Sequence, residues 1–210
     1  MRVSEHFTTI QGEGRHAGVP VYLIRLFGCN LKCKFCDAKH TLESERNPVF
    51  MFHKYSDLTP TELANWIGVN EGRVYLWTGG EPMLQISEIL ETIELLGHDN
   101  KNHLETNGTI LSRELLVFDY ISFSPKDKST AGAVEKFLTS NHVYGDKYEI
   151  KVVTDLKSVG AELIDYATTL MPLTTGDDVR DAEIRRNVWG YCADHCIRYS
   201  PRLQLGVELV

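Results

Sequence analysis

The reading turns on Val21-Tyr22-Leu23-Ile24-Arg25-Leu26-Phe27, followed by Gly28-Cys29-Asn30-Leu31-Lys32-Cys33-Lys34-Phe35-Cys36-Asp37. The first seven residues are a mostly apolar run of strand length, and a glycine ends it. The loop that follows carries cysteines at positions 29, 33 and 36, with three residues inside the first interval and two inside the second. Three thiolates can converge from one short loop, and no fourth ligand stands beside them, so one coordination position stays open. A structural zinc site takes four closed ligands, whereas thiolates are the usual ligands of iron–sulfur clusters. The residues alone leave three readings: a cluster held by three cysteines, a three-ligand zinc site, and a chance grouping of thiols.

The chain has 210 residues, of which 42% are apolar, enough for one sizeable core and consistent with a single domain over 1–210. Its 22 basic and 29 acidic side chains leave a net charge of −7. Broad binding to nucleic acid rests on clustered Lys and Arg, so the charge argues against it and favours a small-molecule substrate. No stretch approaches the ~18 apolar residues of a membrane span, and the start of the chain has no apolar signal region, so a cytoplasmic location is expected. Five cysteines is an odd count with three crowded at ligand spacing, which makes a disulfide framework the poorer reading.

Apolar or alternating runs predict strands at Val21 to Phe27, Val74 to Trp77, His103 to Thr106, Tyr120 to Phe123, Tyr148 to Val153 and Leu170 to Leu173. Ile86, Ile89, Leu90, Ile93 and Leu96 recur at helical spacing, with Gly97 where the helix should stop. Leu156 to Leu170 and Asp178 to Ile197 read as two more helices. Strands alternating with helices imply an α/β fold with a mainly parallel sheet. The mostly polar stretch His40 to Asp57 reads as an excursion, either a lid or a dimer contact.

Three further motifs end predicted strands: Thr78-Gly79-Gly80-Glu81-Pro82, Glu105-Thr106-Asn107-Gly108 and Ser124-Pro125-Lys126. Each is compatible with ordinary turn chemistry. Strand carboxyl ends are also where barrel enzymes build active sites, and paired glycines let backbone approach a ligand closely. Arg25 shares a strand face with Val21, Leu23 and Phe27, an expensive place for a guanidinium without a partner. Either a buried Glu pairs with it or it holds a substrate carboxylate bidentately. Glu149 and Lys151 share a face of their strand and read as solvated or paired with each other. Ile184, Val188, Tyr191, Cys192 and His195 share one helical face, so Cys192 and Cys196 read as small core residues rather than a second metal site.

The CxxxCxxC loop with an aromatic before its last cysteine, followed by GGEP, resembles the radical S-adenosylmethionine (SAM) superfamily. Phe7 to Gly14 (FTTIQGEG), Gly18-Val19-Pro20, Ile24-Arg25-Leu26, Cys36-Asp37-Ala38-Lys39-His40 and Ser124-Pro125-Lys126 resemble more narrowly the 7-carboxy-7-deazaguanine synthase family. The resemblance implies an incomplete TIM-like (β/α) barrel with about six strands and few helices. It also implies a radical SAM carbon–nitrogen lyase that converts 6-carboxy-5,6,7,8-tetrahydropterin to 7-carboxy-7-deazaguanine with loss of ammonia, in queuosine and deazaguanine biosynthesis. The implied cofactors are a [4Fe-4S] cluster, S-adenosyl-L-methionine and, in the family's usual pattern, Mg2+. The implied partners are the pterin, an electron donor such as flavodoxin or ferredoxin, and a second copy in a homodimer.

Carried over residue by residue, the resemblance assigns Cys29, Cys33 and Cys36 to the cluster. It assigns Phe35, Asp37, Gly80, Ser124, Pro125 and Lys126 to SAM, and Ile10, Gln11, Gly12, Glu13, Arg25 and Thr78 to the substrate. Two departures stand out. Where the family has a Thr or Ser that binds magnesium, this chain has Ala38; where it often has a His near the carboxyl terminus, this chain has Gly206-Val207-Glu208-Leu209-Val210. Glu208 or the terminal carboxylate is the expected substitute. A radical SAM enzyme of the same shape for another heterocycle, and a non-catalytic iron–sulfur regulator, are the rival readings.

Overall fold

The structure is a computed structural model and describes residues 1–36, 38, 55–68 and 73–205. The described residues group into two compact units. The first comprises Met1–Thr9, Pro20–Thr106 and Ser112–Tyr120; the second comprises Ile10–Val19, Asn107–Leu111 and Ile121–Val210.

The first unit holds β1 (Arg2–Ile10, whose last residue belongs to the second unit), β2 (Pro20–Leu26), β3 (Ser56–Asp57), α1 (Pro60–Ile67), β4 (Val74–Gly79), α2 (Ile86–Leu96) and β5 (Lys101–Thr106). Its strands lie in the order β3-β1-β2-β4-β5. β3 is antiparallel to β1, whereas β2, β4 and β5 run parallel, with Leu26 opposite Gly79 and Trp77 opposite Leu104. Parallel neighbours require crossovers, and α2 supplies the one between β4 and β5. Ile89, Ile93 and Leu96 of α2 are buried, and Gly97 stops the helix at φ +87°. Tyr75, Trp77, Ile24, Leu26 and Leu104 make up much of the core. The Trp77 indole donates to Asn102 Oδ1 at 3.0 Å, which satisfies its buried N–H.

The second unit holds most of β6 (Tyr120–Phe123), then α3 (Lys128–Ser140), β7 (Tyr148–Thr154), β8 (Thr169–Pro172), α4 (Asp178–His195) and β9 (Arg198–Tyr199). Its four strands are parallel and lie in the order β6-β7-β8-β9.

All six expected strands are present, each within two residues of its expected bounds. The described residues add β1, β3 and β9, and four α-helices rather than three. The helix expected over Leu156 to Leu170 does not form. Asp155 accepts the main-chain N–H groups of Lys157, Ser158 and Val159 at 3.0, 2.7 and 2.9 Å, which bends the chain into a turn. Gly160 follows at φ +64°, where an added Cβ would lie 2.2 Å from Val153 O. Only a 3-10 turn over Ala161–Tyr166 remains before β8 begins. In α4, Cys192 is buried as expected, but Cys196 is exposed: it is the left-handed cap residue beyond the last turn, at φ +55°. His195 is exposed too and stacks on Tyr191. Most of the His40 to Asp57 excursion lies outside the described residues.

Candidate active site

In the first unit the cluster loop leaves the carboxyl end of β2, and the Gly79-Gly80 pair ends β4 beside it. Gly80 N donates to Leu26 O at 2.9 Å and Glu81 N to Gly28 O at 2.8 Å. A Cβ on Gly79, which sits at φ +118°, would lie 2.3 Å from Leu26 O, and one on Gly80 would lie 2.0 Å from Gly28 O. The close approach that the two glycines permit is therefore to the chain leading into the cysteine loop. Glu81, fully buried, accepts from Met83 N at 2.9 Å and from Thr106 Oγ1 at 2.8 Å, which ties the end of β4 to the end of β5.

Cys29, Cys33 and Cys36 are all half-buried, and none is in a disulfide. Leu31 N lies 3.4 Å from Cys29 Sγ, and Cys36 N donates to Cys33 O at 3.3 Å, closing a tight turn between the second and third cysteines. Among the described residues no three His, Cys, Asp or Glu side chains converge at metal-binding distance. The donor set nevertheless fits an iron–sulfur cluster: three partly exposed thiols in one loop, none in a disulfide, with Phe35 and Ala38 half-buried beside them. Asp37 lies outside the described residues, as do 206–210, where the substitute for the usual histidine was expected.

Thr78 is buried and donates from Oγ1 to Glu105 Oε2 at 2.8 Å. In the sequence Glu105 stands out only as part of a turn motif, yet it faces Thr78 from the end of the neighbouring strand β5, and their shared strand-end position is the signal that identifies it. Arg25 Nε lies 3.2 Å from Glu5 Oε1, with the Glu5 side chain 39% exposed. The arginine thus has a glutamate partner, though a half-buried one rather than the buried one weighed from the sequence.

The second unit carries the remaining residues. Gln11 N donates to Val19 O and Gly18 N to Gln11 O, both at 2.8 Å, so the Gln11–Gly14 loop is closed at its base by Gly18-Val19. Gln11 is buried and Ile10 is exposed. At the end of β6, Pro125 is buried and Lys126 Nζ donates to Ser124 Oγ at 2.7 Å. Gly108, at φ +77°, has no room for a side chain: a Cβ would lie 2.8 Å from Val134.

Glu149 and Lys151 depart from the sequence expectation, for both are buried and they do not pair with each other. Glu149 accepts from Ser122 Oγ of β6 and Thr169 Oγ1 of β8, each at 2.7 Å, and from Arg15 N at 3.0 Å. Lys151 Nζ lies 2.8 Å from Glu13 Oε2. Glu13 also faces Arg202 Nε at 3.7 Å and accepts from Gln204 Nε2 at 2.8 Å. Burial alone would raise the Glu13 pKa, but the charges of Lys151 and Arg202 and the hydrogen bonds from Lys151 and Gln204 outweigh it and hold the carboxyl at about 2.

Residues 23–119, the span from the cysteine strand past the GGEP and ETNG motifs, match the Radical SAM superfamily. That is the class of enzyme this arrangement defines. A 7-carboxy-7-deazaguanine synthase from Clostridium acetobutylicum is 34% identical over 75% of this chain and 71% of its own length. One from Bradyrhizobium diazoefficiens is 30% identical over 98% of this chain and 94% of its own. The crystal structure of QueE from Escherichia coli shares the fold, with a TM-score of 0.56 at 23% identity, covering 95% of this chain and 92% of that one. The chain therefore belongs to the 7-carboxy-7-deazaguanine synthase family of radical SAM enzymes, and its fold is the incomplete (β/α) barrel of that class.

Proposed function

We propose that this chain converts 6-carboxy-5,6,7,8-tetrahydropterin to 7-carboxy-7-deazaguanine with loss of ammonia. The carrying observation is similarity to a synthase along nearly the whole of both chains, combined with a three-cysteine loop set against the Gly79-Gly80 turn. When bound, the three-thiolate cluster with S-adenosylmethionine supplies the radical that takes a hydrogen from C6 of the pterin. The protein binds, orients and excludes water. Cys29, Cys33 and Cys36 would hold the cluster, and Phe35, Asp37, Gly80 and Ser124 to Lys126 would line the SAM.

Ile10, Gln11, Gly12, Arg25 and Thr78 would hold the pterin, joined by Glu105 through its hydrogen bond with Thr78. Arg25 is suited to exchange partners: the half-buried Glu5 carboxylate keeps the guanidinium paired in the free protein, and a substrate carboxylate can take its place in a bidentate contact. Ala38 has no side-chain oxygen, so the usual magnesium ligand position does not fit a hard cation. That departure also favours the rival reading of a related radical SAM enzyme acting on another heterocycle.

Flavodoxin or ferredoxin is the proposed electron donor and a homodimer the proposed assembly, both following from the family. Among the described residues no helix is long and apolar enough to cross a membrane. Five cysteines with no disulfide among them support a reducing, cytoplasmic setting.

Anaerobic reconstitution with iron and sulfide, then incubation with SAM, reductant and the carboxypterin, tests the reading. Formation of 5′-deoxyadenosine together with a deazaguanine product is expected. Cleavage of SAM without that product would assign the fold to another substrate.

A further inference from the structure

The Gly12-Glu13-Gly14 turn is gripped from two directions within the second unit. From β7, Glu149 holds Arg15 N, and its Oε1 fills the place where a Cβ on Gly14 would lie, at 2.2 Å; Gly14 itself sits at φ +72°. Glu149 can do this because Ser122 and Thr169, on the two neighbouring strands, fix its carboxylate from either side. From the segment after β9, Ser200 Oγ accepts from Gly14 N at 2.8 Å and Leu203 N donates to Gly12 O at 3.0 Å. A Cβ on Gly12 would meet Gln204 Oε1 at 2.0 Å.

Glu13 joins the two grips. One carboxylate oxygen takes Lys151 of β7, and the other takes Gln204 and faces Arg202. The side chains of Lys151 and Arg202 are only 5% and 9% exposed. Turning the carboxylate away to a ligand would break its contacts with both of these largely buried cations. Both oxygens of Glu13 are thus committed to the protein.

We infer that Glu13 is a positioning residue: its carboxylate fastens the Gln11–Gly14 loop to Lys151 on β7 and to the Ser200–Gln204 segment, and this clamp sets the affinity of the loop for substrate. The inference rests on the proposed carboxypterin activity for the identity of that substrate. It adds Glu149, Lys151, Arg202 and Gln204 to the residues that decide binding, and it withdraws the Glu13 side chain from direct contact with the pterin.

The test compares Glu13→Gln, Lys151→Met, Lys151→Arg, Gln204→Ala and the double variant Glu13→Gln/Lys151→Met. Gln204 is exposed, so its truncation does not endanger folding. In the cluster-free protein, hydrogen exchange followed by mass spectrometry should quicken in residues 11–15 and 200–204 together in Glu13→Gln and Gln204→Ala. In the reconstituted enzyme KM for the carboxypterin should rise about tenfold in Glu13→Gln and Lys151→Met, with kcat changed by less than about threefold. Lys151→Arg should recover most of the loss, and the double variant should be no worse than the poorer single one, since both remove one coupled interaction.

A raised KM in Glu13→Gln with exchange unchanged would make Glu13 a direct ligand and overturn the inference. So would additive losses in the double variant, or quickened exchange in only one of the two segments. A wild-type enzyme that leaves the carboxypterin untouched would defeat the functional reading, while the exchange experiment would still decide whether the clamp exists.

Discussion

Gly80 and Gly28 meet backbone to backbone, so that a methyl group on Gly80 would stand 2.0 Å from the Gly28 carbonyl oxygen. The turn after β4 and the start of the cysteine loop are therefore one packed piece, laced by the bonds from Gly80 N and Glu81 N. Gly80→Ala should displace the cysteine loop and cost about 1–3 kcal/mol of stability, the range for overpacking a close-packed site. Iron content after reconstitution reads the first effect and should fall, and urea unfolding reads the second.

Cluster assembly should depend on the three loop cysteines and on no others. Cys29→Ala, Cys33→Ala and Cys36→Ala should each lose the bound iron and sulfide, because three thiolates are the whole donor set of the loop. Cys192→Ala should keep full iron content, since that thiol is buried on α4 and burial raises its pKa, which disfavours the thiolate. Iron analysis on each purified variant decides the matter.

Arg25→Lys should raise KM for the carboxypterin, because a point charge cannot reproduce a forked contact with a carboxylate. The expected cost in kcat/KM is about 2–4 kcal/mol, as for truncating a buried hydrogen-bonded charge pair. Glu5→Gln, which releases the guanidinium from its partner, should lower KM. Steady-state kinetics on the two variants check both directions, and normal turnover by Arg25→Lys would leave the arginine a purely structural partner of Glu5.

Acid should weaken the Glu13 clamp. Its carboxyl titrates near 2 when folded, against an ordinary value of 4.5, so its contribution to stability is complete above the ordinary value and is lost as the pH falls toward 2. The stabilisation at stake is on the order of 1–3 kcal/mol. Urea midpoints measured from neutral pH downward should fall faster in the wild type than in Glu13→Gln across that interval.

Much of the site was legible because its residues come in short local motifs. CxxxCxxC, GGEP and SPK each follow a predicted strand, and the structure keeps all three at strand ends. The helix α2 was legible from its apolar spacing, whereas α1 was not: it is eight residues long and buries only Leu63 and Ile67. α3 hides in Lys128–Ser140, where Ala131, Val134 and Leu138 are its only buried residues among polar ones. The expected helix after Leu156 failed because the chain is left-handed at both Leu156 and Gly160, each at φ +64°, with Asp155 gathering the N–H groups of the turn between them. The partners of Glu149 and Lys151 were beyond local reading, since the loop they hold lies more than 130 residues away along the chain.

The most direct measurement of the central claim is deuterium transfer from the carboxypterin labelled at C6. With the reconstituted enzyme, S-adenosylmethionine and reductant, the account requires 5′-deoxyadenosine that carries deuterium and appears in step with 7-carboxy-7-deazaguanine. Unlabelled 5′-deoxyadenosine, formed at the same rate with or without the carboxypterin, would contradict it.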